Sequence, residues 1–227
     1  MRRTLTALAA ATAAFFMSAS QAQATTLSGE GWAIGVDRPL YSLDSDYPYY
    51  IKFGSQQALE VLLPYALETA QHLRDATGLQ FIVAAEVIDN QMHTCAEHPF
   101  HVFTLGYRYR PAGDHTRASI AYPCYRASDG SAWGGWLYMN SEMWTEQPFK
   151  YENPDSDESF RRNAVSHEVG HLTGLSHPPG DPYNCVPEGV EPIMCSPLGG
   201  YLHPDNAGKY TVYDRNGLQQ LVANEEG

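Results

Sequence analysis

The chain has 227 residues and a formal net charge of −12. That length suits one domain with a full-sized core, and the acidic balance argues against nucleic acid or an anionic membrane surface as partner, since both demand positive charge. With 43% hydrophobic residues, the chain is also too apolar to remain disordered.

Residues 1–24 read as a cleavable secretory signal. Arg2 and Arg3 open it, an apolar run follows from Leu5 to Met17, and Ala22-Gln23-Ala24 closes it. The competing reading is an uncleaved N-terminal anchor. No later stretch is apolar enough to cross a bilayer, so the mature protein is expected to be exported, soluble and monomeric. Residues 25–48 show no clear periodicity and are expected to form a leader segment on the surface.

Next come a strand at 49–53, rich in aromatic and β-branched residues, and a helix from Gln56 to Ala76. Leu59, Leu62, Leu63, Leu67, Ala70 and Leu73 set the helical period; Pro64 should bend or break the helix, and Gly78 should end it. Phe81 to Ala85 is a continuous apolar run, as in a buried parallel strand. Further strands are expected at 101–109, 118–122 and 135–140. A second helix spans 158–172, burying Phe160, Ala164, Val165, Val169 and Leu172, and a last helix spans 213–222. This order predicts a mixed α/β domain, one sheet backed by two helices.

Cys95, Cys124, Cys185 and Cys195 are an even set in an exported chain, which implies disulfides. Of the three connectivities, the two local bridges, Cys95–Cys124 and Cys185–Cys195, are favoured because each staples a loop-rich segment. Zinc ligation is the competing role, although no C-x-x-C pair is present. Asn153, Asp155, Asp157 and Glu158 offer hard oxygens suited to calcium; the plainer reading is a solvated loop with acids at a helix start.

The second helix contains His167-Glu168-Val169-Gly170-His171, followed by Leu172-Thr173-Gly174-Leu175-Ser176-His177. At 3.6 residues per turn, His167 and His171 lie one above the other and can reach one ion. His177 is out of phase for a continuing helix. Gly174 can take a left-handed conformation, end the helix and turn His177 back toward the same ion. Three neutral imidazoles and a water describe an open, catalytic zinc site, with Glu168 placed to act on the water without displacing it. His72, His93, His98, His101, His115 and His203 lack such spacing and read as surface or hydrogen-bonded histidines.

At these residues the chain resembles the metzincin metalloproteases, whose motif H-E-x-x-H-x-x-G-x-x-H precedes a methionine-containing turn. Small secreted bacterial members of the snapalysin type are nearest in character, although they commonly carry Asp where this chain has His177. The resemblance covers about residues 49–222 and implies a catalytic domain at 49–227. It further implies a mostly parallel sheet with an antiparallel edge strand (118–122) above the cleft, beside an inner strand at 135–140. The last helix falls at 213–222. The turn would be Pro192-Ile193-Met194, with Met194 as an apolar floor beneath the histidines. A tyrosine that joins the metal shell in some members is replaced by Ser196, with Tyr183 or Tyr201 as other candidates to come near. No cysteine lies between Ala24 and Cys95, which leaves no cysteine switch; Asp37, Asp44 or Asp46 could block the metal instead. The implied activity is zinc-dependent hydrolysis of protein or peptide substrates, with Glu168 as general base. The alternatives are an exported non-catalytic zinc-binding protein and a zinc amidase acting on cell-wall peptides.

Overall fold

The computed structural model describes residues 25–35, 38–88, 94–179, 185–196 and 198–226. The signal reading therefore lies outside the described residues.

Two sheets form. In the larger, β4 (Tyr49–Phe53), β5 (Phe81–Val87), β6 (Val102–Arg108) and β8 (Ser131–Asn140) run parallel in the order β8-β6-β4-β5. The short β3 (Ser42–Leu43) pairs parallel with the start of β8, while β7 (Ile120–Tyr125) runs antiparallel to β8. The smaller sheet is antiparallel: β1 (Ser28–Gly29), β2 (Trp32–Ile34) and β9 (Leu175–Ser176). With four helices among the described residues, this is a mixed α/β fold with a mostly parallel main sheet, and β7 is the expected antiparallel strand.

In β4, Tyr49, Ile51 and Phe53 are buried while Tyr50 and Lys52 face outward, the period of two that a half-covered strand requires. Helix α1 (Gln56–Thr77) opens with the Ser55 side chain accepting from the Ala58 amide at 3.0 Å. It buries a stripe of Ala58, Leu62, Ala66, Ala70 and Leu73 against β4, β5 and β6. Pro64 does not break it. The ring sits on the exposed side, so the carbonyl of Glu60 that loses its partner faces water. Helix α3 (Pro154–Thr173) packs on β7, β8 and α1, and α4 (Val212–Glu226) closes on β2, β3 and α1.

Two expectations change. The apolar run at β5 is parallel but sits at the end of the strand order, and Ile82 is 39% exposed. An apolar run reports β-propensity and cannot tell a central strand from an edge. Residues 25–48 lie only partly on the surface: 25–30 and 45–47 are exposed, but Trp32, Ile34, Leu40, Leu43 and Asp44 are buried, and the segment supplies β1, β2 and β3. Strands of two or three residues are too short to show periodicity. The brief helix α2 (Glu142–Thr145) was likewise invisible. Both favoured disulfides, Cys95–Cys124 and Cys185–Cys195, are formed, so no cysteine is available to a metal.

Candidate metal centre

Helix α3 begins at Pro154, four residues earlier than expected. Asn153 caps it by accepting from the Asp155 amide at 2.9 Å, and Pro154 occupies the first turn, where its missing N–H costs nothing. The acidic cluster is thus a helix start. The buried Asp157 carboxylate accepts from the amides of Phe149, Lys150 and Tyr151, each at 2.8 Å, and these bonds hold it ionised against the desolvation of burial. Glu158 bonds Tyr65, Arg161 and Arg162. These groups clamp the preceding loop to the helix and do not gather toward a calcium ion.

At its other end α3 is buried nearly all round. From Asn163 to Thr173 only His171 is half-buried; Ser166, His167, Glu168 and Gly170 are all inside. Gly170 permits this: a Cβ there would stand 2.6 Å from the sulfur of Met194, which lies buried against the helix between the first two histidines. Gly174 then takes φ +113, and its amide bonds back to the carbonyls of Gly170 and His171. The reversed chain becomes β9, paired with β2 through Ile34–Leu175 and Ala33–Ser176, and the Gly35 amide bonds the Gly174 carbonyl at 3.2 Å. His177 follows directly. Its position is therefore templated by the N-terminal segment as well as by the glycine.

The three imidazoles converge. His167 Nε2 lies 3.1 Å from His171 Nε2 and 3.2 Å from His177 Nε2. Nitrogens at about 2.0–2.1 Å from a tetrahedral zinc stand about 3.4 Å from each other, so these three fit around one ion after shifts of a few tenths of an ångström. The opposite ring nitrogens are anchored: His167 Nδ1 lies 2.7 Å from the Ile193 carbonyl and His171 Nδ1 lies 2.9 Å from that of Leu175. A carbonyl only accepts, so Nδ1 carries the proton and Nε2 presents its lone pair to the shared point. Burial pushes His167 well below the ordinary histidine range and brings His171 down to about 4, keeping both rings neutral at physiological pH. Burial also raises the Glu168 carboxyl to about 8; a divalent cation alongside would draw it back down.

Sequence reasoning missed the residue behind the turn. Asp214, in the first turn of α4, is fully buried and accepts from the amides of Ile193 (2.9 Å) and Met194 (3.1 Å) and from both the amide and hydroxyl of Thr211. It holds the peptide whose carbonyl orients His167. Thr211-Val212-Tyr213-Asp214 has the capping pattern of Ser/Thr followed three residues later by an acid, a signal that was available. Cys185–Cys195 closes the loop containing this turn.

A cleft of about 740 Å³ exposes the triad and Glu168, bordered by Ala118 to Ala121 beside and along β7 and by Met143, Phe149 and Phe160 beyond the histidines. Ser196 lines it, whereas Tyr201 does not, and Tyr183 lies outside the described residues. Of the acids expected to block the metal, Asp44 is buried with Arg126 (2.9 Å) and His101 (3.4 Å), Asp46 does not line the cleft, and Asp37 is outside the described residues.

No protein-family model matches the chain. A stretch of 63 residues is 41% identical to serralysin B of Dickeya chrysanthemi, covering 28% of this chain and 11% of that protein. The chain thus spans about a tenth of the length of this curated relative. Among solved structures, the GM1-bound form of the ECX AB5 holotoxin overlaps 89% of this chain and 78% of its own, at 10% identity and a TM-score of 0.36. An overlap that low supports no statement about fold.

Proposed function

We propose that the chain is a secreted zinc-dependent endopeptidase of metzincin type, its metal held by His167, His171 and His177. One observation carries this reading: three Nε2 lone pairs, two of them fixed by carbonyls behind the rings, meet at one point at the floor of an open cleft. Neutral nitrogens that close repel each other unless a cation lies among them. The partial likeness to serralysin B points the same way.

Bound there, zinc would supply Lewis acidity for activating a water and polarising a carbonyl. The chain's own residues do the rest. Glu168 follows His167 on α3, lines the cleft and is desolvated, so its carboxylate can take a proton from the attacking water and return it to the leaving amine. Among the described residues β7 pairs with β8 alone, and its Ile120, Ala121 and Pro123 line the cleft, where an extended peptide can add as a further strand. Met194, buried against Gly170 between His167 and His171 in the helix, would serve as an apolar floor on that side.

Export after cleavage at Ala24 belongs to the same proposal. Two disulfides, and the absence among the described residues of any helix able to cross a membrane, are compatible with it. Residues 25–48 are taken to stay attached, because β2 holds the strand that precedes His177. The test is digestion of casein by the purified mature chain. Activity should vanish with a zinc chelator and return with added zinc; digestion that survives full chelation contradicts the proposal.

A further inference from the structure

The cleft carries a charge pattern opposite to that of the molecule. The chain as a whole is at −12, yet among the described residues lining the cleft Glu168 is the only carboxylate, set against Arg38, Arg117 and Lys150. These cations stand at two ends. Arg117 precedes β7 and lies over the Phe149 ring at 4.2 Å, with Lys150 next in sequence; Phe149 in turn meets Phe160 of α3 at 6.0 Å. Arg38 stands at the opposite end of α3, its amide bonded to the Gly35 carbonyl while the Gly35 amide bonds Gly174. His167 and His171 lie on α3 between these ends. From Phe160 to Gly174 the helix advances about 21 Å, which an extended peptide spans with roughly six residues.

Two of the three charges are not neutralised locally. Arg117 pairs with Glu146 and is 3.9 Å from Glu142. Among the described residues, neither Arg38 nor Lys150 has a carboxylate within 4.0 Å, and both are exposed. Concave walls concentrate the field of such charges into the cleft, while the acidic exterior repels anions elsewhere. We propose that the cleft selects peptides bearing Asp or Glu toward both ends of a stretch of about six residues. The proposal rests on the peptidase reading above and names its substrate class.

The test uses three fluorescent peptides with one central sequence, flanked on both sides by Glu, by Gln or by Lys. Binding is measured to zinc-loaded Glu168→Gln, and hydrolysis by the unmodified chain. At low salt the Glu-flanked peptide should bind and be cut on the order of tenfold better than the Lys-flanked one, since exposed ion pairs are individually weak but several act together. The ratio should shrink toward unity in 1 M salt, and Arg38→Glu with Lys150→Glu should invert it. Lys150→Glu alone should lower it, which keeps the test available should the double variant not fold. Equal treatment of the three peptides, or a ratio unmoved in the folded variants, overturns the inference while leaving the peptidase reading intact. Charge-selective binding without any hydrolysis supports the selection and sinks the peptidase.

Discussion

Helices α1 and α3 are nearly equal in length, at 22 and 20 residues, pack against each other and the same sheet, and both end at a left-handed glycine. Their insides differ. α1 buries one aliphatic stripe and leaves Leu67, among others, in water. α3 from Asn163 onward is enclosed on nearly every side and takes one histidine, a glutamate, a serine, an asparagine and a threonine inside with it, with His171 half-buried. The glycines differ too. A Cβ on Gly78 would meet nothing within 4 Å, whereas one on Gly174 would stand 2.2 Å from Leu40 and 3.1 Å from Leu221. Similar local signals therefore serve chain reversal in one helix and the return of a third imidazole in the other, and the candidate site lies on the helix whose burial breaks the amphipathic rule.

The contrast can be broken most sharply at Glu168. Glu168→Gln should lower peptide hydrolysis by about 10²- to 10⁴-fold with bound zinc, measured by atomic absorption, unchanged; full activity would remove its role. Next is the glycine pair. Gly174→Ala must strain a positive φ and push Leu40 aside, costing on the order of 3 kcal/mol and weakening zinc retention. Gly78→Ala should cost about 1–2 kcal/mol and leave zinc stoichiometry intact. Denaturant melts and metal analysis of both variants decide whether the two helix ends differ as described.

Asp214→Asn tests the support behind α3. Replacing that acceptor sets an amide against the Ile193 and Met194 amides, and the loosened His167 should cost about 10- to 100-fold in zinc affinity by competition with a chelator. The smallest effect concerns Glu142, outside the helix pair. Bonds first from Arg110 and then from Asn140 hold its carboxyl well below the usual range. A depressed folded pKa gives stability that is present above the unfolded value near 4.5 and lost as pH falls toward about 2. The melting temperature should drop over that window, and less steeply in Glu142→Gln.

Much of this was legible in the residues. Spacing alone placed His167, Glu168 and His171 on one helix, and Gly174 supplied the turn that brings His177 back. α1 carried its period openly, and the strand at 49–53 was visible from its aromatic and β-branched content. The rest was hidden for particular reasons. β2 and β9 are so short that only their pairing makes them strands, so the hold of residues 32–35 on His177 could not be read. Asp214 and Asp157 act on backbone amides, which carry no sequence identity; only the capping pattern at Thr211 hinted at one of them. The charge of the cleft is assembled from positions 38, 117 and 150, joined by the fold and unrelated in sequence.

X-ray absorption on the zinc-loaded protein reads directly whether the three ring nitrogens share one ion. It should show one zinc per chain with three imidazole nitrogens at about 2.0–2.1 Å, falling by one imidazole in His177→Ala. A zinc bound through sulfur or through fewer than three imidazoles, or a shell that His177→Ala leaves unchanged, would contradict a shared site.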